Sequence, residues 1–237
     1  MLTPKDPGNL KNGISIIIPA WNESSKINLT IDGILSLPYK GFIEIIVVDG
    51  SPEGDTANAI KAKNIKKLFS EKGRAKQMNK GALNSNGEVL LFLHADTLLP
   101  KDSLQRISGI MDKKGIVAGA FDLGIQSKRI IFRLIEAAAS LRSRITRIPY
   151  GDQAIFIRKK YFQEIGGFKE IPLMEDVELM RRIKKAGNKI YIISDKVMTS
   201  SRRWEKEGIL YCTLRNWLLV TLYYLGVKPD KLMRFYH

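Results

Sequence analysis

Four short polar stretches of the 237-residue chain carry side chains able to do chemistry, and each adjoins an apolar run or opens a helical pattern. Asp49 and Ser51 follow Ile45-Ile46-Val47-Val48. His94-Ala95-Asp96 follows Leu90 to Leu93, PAWNES (Pro19 to Ser24) follows Ile14 to Ile18, and Glu175-Asp176 begins the helical pattern of MEDVELMRRIKKAG. A carboxylate at a strand end can accept hydrogen bonds from a base or ribose. It can also give a hard divalent cation the one or two protein oxygens it needs when diphosphate oxygens and water fill its other positions. Two adjacent carboxylates at a helix start suit the positive end of the helix dipole. One of them can equally serve as a general base that takes a proton from an acceptor hydroxyl.

Each stretch also has a plainer reading. Asp49 and Ser51 fit an Asp-Gly turn, with Asp55 or Thr56 starting the next helix, and Asn22 or Ser24 fits a helix N-cap. In GRAKQMNKGA, Gly73 permits close backbone approach, Arg74 offers charge to a phosphate, and Gln77 and Asn79 are neutral readers of polar edges; a helix this basic is also an ordinary solvated face. His94 is either a metal ligand, a partner behind the ligand, or a structurally satisfied histidine. Gly151-Asp152-Gln153, just after Pro149-Tyr150, would supply acceptor contacts.

The elements that must position these residues follow from hydrophobic spacing. Apolar, β-branched runs at Ile14 to Ile18, Ile43 to Val48, Val89 to Leu93 and Ile116 to Phe121 alternate with helical spacing such as Ile27, Ile31, Ile34, Leu35. That alternation predicts an α/β domain: a mostly parallel sheet with helices on both faces. Ligands of such sheets sit beyond the strands' carboxyl ends, where PAWNES, DGSPEGDT and HADT fall. Beyond Ser127 the spacing predicts a basic helix over Lys128 to Arg147 with Ile131, Leu134, Ile135 and Ala138 on its apolar face. A short strand and helix follow in GDQAIFIRKKYFQEIGGF, then a helix capped by Gly187. Ile209 to Leu225 is apolar and aromatic, interrupted by Arg215 and Asn216.

Composition narrows the class. Hydrophobic residues make up 44% and charged residues 27%, a globular balance. One cysteine, Cys212, excludes an internal disulfide framework, and two histidines, His94 and His237, argue against a His-rich zinc site. The first 13 residues are polar and broken by proline and glycine, so a cytoplasmic protein is expected. The net charge of +15 implies attraction to something anionic: nucleic acid, a membrane face or a phosphorylated substrate.

Taken in order, IIIPAWNE, IIVVDGSPEGDT, GRAKQMNKGA, GEVLLFLHADT, GDQAIFIRKKYFQEIGGF, MEDVELMRRI and SSRRW resemble the inverting nucleotide-diphospho-sugar glycosyltransferases of family 2. The look is closest to the bacterial radical-SAM/selenodomain-associated subgroup. The resemblance spans about residues 14–204 and implies a GT-A fold, with a catalytic domain over 1–204 and a C-terminal amphipathic helical extension over 205–237. It implies that Pro19, Ala20, Asn22, Glu23, Asp49 and Ser51 hold the nucleoside and that Gly73, Arg74, Gln77 and Asn79 complete the donor pocket. His94-Ala95-Asp96 stands in place of the family's DxD motif, with Asp96 on the divalent cation (Mn2+ or Mg2+). Asp176 matches the catalytic base and Glu175 its neighbour. Arg203-Trp204 matches the terminal Arg-Trp pair of processive members, whose glutamine is Ser200 here. That departure, with the lack of multiple membrane-spanning helices, implies a single-addition enzyme.

The acceptor is unidentified at this level. Trp217, Tyr223 and Tyr224 suit a membrane interface, while Arg215 and Asn216 disfavour a spanning helix. The expectation is therefore a peripheral protein on the inner membrane face with a lipid or lipid-phosphate acceptor. The competing reading packs this helix on the catalytic domain or in a homodimer interface. Two other classes stay open: a nucleotidyltransferase-like enzyme, whose Gly-rich N-terminal signature PAWNES lacks, and a basic nucleic-acid binder. The aromatics lie in apolar runs and are not interleaved with Arg/Lys, so no specific nucleic acid is expected.

Overall fold

The computed structural model describes residues 13–236, so the polar N-terminal stretch and His237 lie outside the described residues. The elements run β1 (Ile14–Ala20), α1 (Ile27–Leu35), β2 (Ile43–Asp49), α2 (Asp55–Ala59), β3 (Lys66–Phe69), α3 (Arg74–Leu83), β4 (Val89–Phe92), β5 (Thr97–Leu98) and α4 (Ser103–Met111). They continue as β6 (Ile116–Gln126), α5 (Ile130–Thr146), a 3-10 turn (Gly151–Gln153), β7 (Phe156–Arg158), α6 (Lys159–Glu164), α7 (Glu175–Lys185) and β8 (Lys189–Ser200). The chain ends in α8 (Arg202–Glu207), α9 (Ile209–Tyr224) and α10 (Pro229–Met233).

One eight-stranded sheet takes the order β3-β2-β1-β4-β7-β6-β8-β5. Pairings are parallel except where β7 meets β4 and β6 and where β5 meets β8, so six strands run one way and two oppose them. The expected α/β sheet, mostly parallel, is the one observed. Its central strands are apolar on both faces for a physical reason. Ile17, Ile46, Val48 and Leu90 bury into one core under α3 and α7, while Ile16, Ile18, Ile45 and Leu91 bury into a second under α1 and α4. Leu219 of α9 and Leu232 of α10 belong to the first core.

Three details depart from expectation. Neither Asn22 nor Ser24 caps α1, which begins at Ile27 after Lys26 with no side-chain cap; Asn22 instead adopts a left-handed conformation (φ 55°) in the turn out of β1. Arg215 does not interrupt α9 but points inward, 8% exposed, and pairs with Glu207. Most consequentially, α5 buries only part of the face its spacing suggests, with Ile131 and Ile135 packed inward and Leu134 and Ala138 left exposed. Its buried residues are Phe132, Glu136 and Ser143, whereas Leu134 is 63% exposed.

Glu136 is the anchor of that helix. Its Oε1 accepts from the Ile125 backbone N–H at 2.7 Å and forms an ion pair with Arg133 at 2.7 Å, and its Oε2 accepts from Lys196 at 2.8 Å. The two cations are about half exposed and can return to water, but the Ile125 N–H is buried. Glu136→Ala should therefore lower folding stability by about 1–3 kcal/mol, the cost of stranding a buried donor. Glu136→Gln, which keeps an acceptor, should lose less, as read by denaturant unfolding of the two variants.

Candidate active site

The carboxyl ends of β1, β2 and β4 lie side by side, and the polar residues after them divide into those that hold the backbone and those that face a pocket. Asp49 is fully buried. Its Oδ1 accepts from the Ser51 N–H (2.9 Å) and the Ser51 hydroxyl (2.7 Å), and its Oδ2 accepts from the Ala57 N–H (2.8 Å), closing the turn into α2. Gln77, projecting from α3, donates through Nε2 to the carbonyls of Ala20 (2.6 Å) and Val48 (2.8 Å), tying β1 to β2. Asn79 clamps Phe168 by both backbone groups, at 2.8 and 2.9 Å. Gln153 accepts from Ser143, Arg142 and the Tyr150 N–H and donates to the Phe121 carbonyl. Asn79 and Gln153 thus have their polar atoms engaged by the fold itself, as does Gln77 through its amide nitrogen. Pro19 and Ala20 close β1, with the Ala20 carbonyl also accepting from the Gly50 N–H (3.0 Å). Gly73 precedes α3 with φ 146°, a conformation that glycine tolerates.

What remains forms two charged groups. In the first, Arg74, His94, Gly151, Glu175 and Asp176 line one pocket with Met78, Phe92, Ile155 and Phe168. The turn into α7 forces Met174 into the left-handed region (φ 69°), strain of the kind stored at functional sites. Glu175 turns inward and pairs with Arg74 at 3.3 Å. Burial raises the Glu175 carboxyl above its usual range against the pull of Arg74, and Glu175 in turn raises the Arg74 guanidinium. Asp176 turns toward the pocket. Its Oδ2 accepts from the Gly151 N–H at 2.5 Å and its Oδ1 from the Val177 N–H at 2.7 Å. A Cβ at Gly151 would stand 3.2 Å from both Asp176 Oδ2 and His94 Nε2, so the imidazole looks toward the Gly151–Asp176 pair. Burial and the Arg74 charge hold the His94 pKa down to about 3, and the ring is neutral.

In the second group, Arg202 reaches back from the end of the sheet to Glu23 at 2.8 Å and stands 3.9 Å from Asp96 Oδ2. Burial, then the Glu23 charge, raise the Asp96 pKa, with Arg202 opposing. The Ala95 carbonyl accepts from Thr30 at 2.6 Å and Thr97 meets Thr199 at 3.1 Å, fixing the His94–Thr97 turn. His94 and Asp96 therefore serve different groups. Arg203 and Trp204 join neither. Arg203 bonds Glu207 and the Tyr236 hydroxyl and stacks on the Tyr236 ring, and Trp204 packs edge-on against Phe132. Sequence reasoning missed Arg202, the neighbour of the pair it chose, and Arg142, whose guanidinium lies 3.3 Å over the Tyr150 ring beside Gly151. The only signal for Arg202 was its place in SSRRW.

Asp152 gives this site a pH signature. Burial, with the Asp176 charge adding to it against Arg142, pushes its pKa from an ordinary 3.8 up to about 6. Between those values the folded chain keeps a proton that the unfolded chain has lost, so this group lowers stability as pH rises through that window. Asp152→Asn removes the term. The variant should match the wild-type melting temperature below about pH 4 and exceed it above about pH 6. A constant difference at all pH values would contradict the assignment.

The Glycosyl transferase family 2 model matches residues 15–171, more than half of the chain. The probable glycosyltransferase YdaM of Bacillus subtilis is 29% identical over 231 residues, covering 86% of this chain and 53% of that protein. The chain thus spans about half the length of that relative. Among solved structures, the mannosyltransferase PcManGT of Pyrobaculum calidifontis, in complex with GDP-Man and Mn2+, superposes with TM-score 0.60 at 19% identity, covering 79% of this chain and 56% of that one. S. aureus TarS 1-349 in complex with UDP-GlcNAc gives TM-score 0.60 at 18% identity, covering 79% and 58%. The architecture is accordingly the GT-A fold of glycosyltransferases, and the nucleotidyltransferase and nucleic-acid alternatives find no support. Seven motifs in order, the sheet that carries them and the match over residues 15–171 together make this chain a member of glycosyl transferase family 2.

Proposed function

We propose that the chain is an inverting, non-processive glycosyltransferase that moves a sugar from a nucleotide-diphospho-sugar to an acceptor hydroxyl, with Asp176 as general base. The observation that carries this reading is the Asp176 carboxylate, fixed by the Gly151 and Val177 N–H groups and facing a pocket that also holds Arg74 and His94. Each Asp176 oxygen keeps a lone pair beyond the backbone bond it accepts, so the group can take the acceptor proton as the oxygen attacks the anomeric carbon from the face opposite the leaving group. Glu175, one residue earlier, is held by Arg74 and does not compete for that role. Neutral His94 can position the same hydroxyl by a hydrogen bond without adding charge.

The leaving nucleoside diphosphate falls to the other group. Among the described residues no three His, Cys, Asp or Glu side chains cluster as a complete metal cage. Yet Glu23 Oε2 is a buried acceptor with no partner, beside Asp96, and a hard cation with diphosphate oxygens needs no more protein ligands than these two. The residues fit a divalent cation such as Mn2+ or Mg2+ held by Asp96 with Glu23, as the Mn2+ and GDP-Man bound by PcManGT also support. When bound, that ion supplies positive charge to the departing diphosphate. Arg202 is the chain's own cation at the same place. Placement in the radical-SAM/selenodomain-associated subgroup rests on motif resemblance alone, and the same reading includes cytoplasmic location with a lipid or lipid-phosphate acceptor at the membrane.

Two variants test this division. Asp176→Asn should lose transfer by about 10²–10⁴-fold while nucleotide-sugar binding, followed by calorimetry, stays near wild type; wild-type turnover would remove the base assignment. Arg202→Ala should weaken nucleotide-sugar binding by about tenfold or more, as expected for loss of a charge-assisted contact. It should do so by more than Arg203→Ala, whose guanidinium faces Tyr236. Equal losses in the two would show that Arg202 has no special place at the diphosphate.

A further inference from the structure

Helix α5 buries a glutamate and leaves its aliphatic residues in solvent. Ile130, Leu134, Leu141 and Ile145 are 78, 63, 59 and 71% exposed, and their spacing puts them along one outward stripe. Between Lys128 and Arg147 the chain carries six cations against one carboxylate; Arg133 pairs with that carboxylate, Glu136, and Arg144 with Asp122, which leaves Lys128, Arg129, Arg142 and Arg147. Helix α9 shows a second outward stripe, Leu210, Leu214, Trp217 and Leu218, all more than half exposed, with no acidic residue from Gly208 to Lys228. The two helices share a small core, in which Ile131, Ile135 and Ala139 of α5 pack with Trp204 and with Ile209 of α9. Two exposed apolar stripes on helices that meet in one small core mark surfaces that another body covers.

We infer that the outward faces of α5 and α9 dock on an anionic phospholipid bilayer, from which a lipid-phosphate acceptor is delivered to Asp176. The inference rests on the glycosyl-transfer reading and extends it to the partner of the site. Charge selects the occupant. A second copy laid on these faces would bring two six-cation helices together within chains of net charge +15, whereas anionic headgroups complement them. An apolar face bordered by Lys and Arg is the pattern of a helix lying in the membrane interface plane. No helix among the described residues is long and apolar enough to cross a membrane, so contact along the surface is the arrangement these faces allow. The stripe also leads to the chemistry. Near the end of α5, Arg142 stacks on Tyr150 and bonds Gln153, on the same turn whose Gly151 N–H holds Asp176. The Arg142 Nε has no acceptor there, which leaves a buried cationic donor for a headgroup phosphate entering from the α5 side.

The test is sedimentation of the full chain with phosphatidylcholine vesicles, with and without phosphatidylglycerol, at a salt concentration of about 0.15 M. Binding should require phosphatidylglycerol. Leu134→Glu combined with Ile145→Glu, and separately Leu218→Glu, should each weaken it by about tenfold or more. A thermal shift with nucleotide sugar serves as the control that each variant is folded and its donor site intact. Absence of binding to anionic vesicles overturns the inference. So does binding that these substitutions leave unchanged, which would be charge attraction without docking of either face. A dimer that the same substitutions dissolve, in a chain that ignores vesicles, would assign the surface to a second copy. Failure of nucleotide-sugar binding in the wild type, with vesicle binding kept, would instead strike the glycosyl-transfer reading and leave the docking surface standing.

Discussion

Strands buried on both faces must end somewhere, and where they end their backbone carbonyls and amides lose their ladder partners without reaching water. At the carboxyl ends of β1 and β2 this need is met by side chains: Gln77 spans the Ala20 and Val48 carbonyls, and Asp49 collects three donors from the turn that follows it. Thr30 does the same for the Ala95 carbonyl beyond β4, and Gln153 caps the Phe121 carbonyl where the β6–β8 register shifts inside β6. An unpaired buried amide or carbonyl costs about 1–3 kcal/mol, so several such ends left open would consume much of a domain's net stability. The geometry of the site follows from this. Once those side chains are committed, the groups still facing solvent at the strand ends are the charged ones, and they are left in two separate places.

The separation has an electrostatic logic. Glu23, Asp96 and Arg202 form one partly buried group, and Arg74, Glu175 and Asp176 form another. Each places one cation against two carboxylates, so each retains a net negative charge that an incoming proton, cation or hydroxyl hydrogen can meet. His94 is two residues from Asp96 in sequence but belongs with Arg74 and Asp176, and burial beside Arg74 keeps it uncharged. A charged imidazole there would set a second cation next to Arg74 in a desolvated pocket. Neutrality is thus the state the surroundings enforce.

The parts of this arrangement legible in the sequence are those encoded by dense apolar runs. Strands β1, β2, β4 and β6 read directly, because they are largely buried on both faces and an isolated polar residue within them (Ser15, Glu44, Asp122) does not hide the β-branched run. Strand β8 did not. It has one largely exposed face, carries Asp195 and Lys196, and pairs with β6 through a register shift at Phe121/Asp122 that breaks its two-residue period. β3 opens with exposed lysines and β5 is two residues long, both too little signal for a pattern to catch. The same limit governs the site. Asp96 and Asp176 are legible as candidates because strand ends and helix starts are local features. Arg202 was not, because its bond to Glu23 joins positions 179 apart and depends on the strand that went unread. Gln77 and Asn79 were read as ligand contacts because a buried amide that braces a backbone and one that reads a substrate edge use the same atoms.

Helix α5 shows the reverse failure, a periodicity that holds in part: Ile131 and Ile135 of the expected face pack inward, whereas Leu134 joins a second apolar stripe that stays in solvent. Spacing reports that one face of a helix is apolar; it does not report what covers that face. Here the inward side is fixed by hydrogen bonds rather than by apolar area. Glu136 satisfies the Ile125 amide, Ser143 and Arg142 satisfy Gln153, and Phe132 fills the small space against Trp204. Turning the helix to bury Leu134 and Ile145 would strand the Ile125 amide, take two of its three donors from the Gln153 oxygen and drive Arg144 off Asp122, to which it now bonds at 2.6 Å. Each stranded group would cost about 1–3 kcal/mol, comparable to what burying an aliphatic side chain returns. The hydrogen-bonded orientation therefore holds in the isolated chain, and the aliphatic stripe with its border of cations stays outward, where an apolar layer beneath anionic groups satisfies both at once.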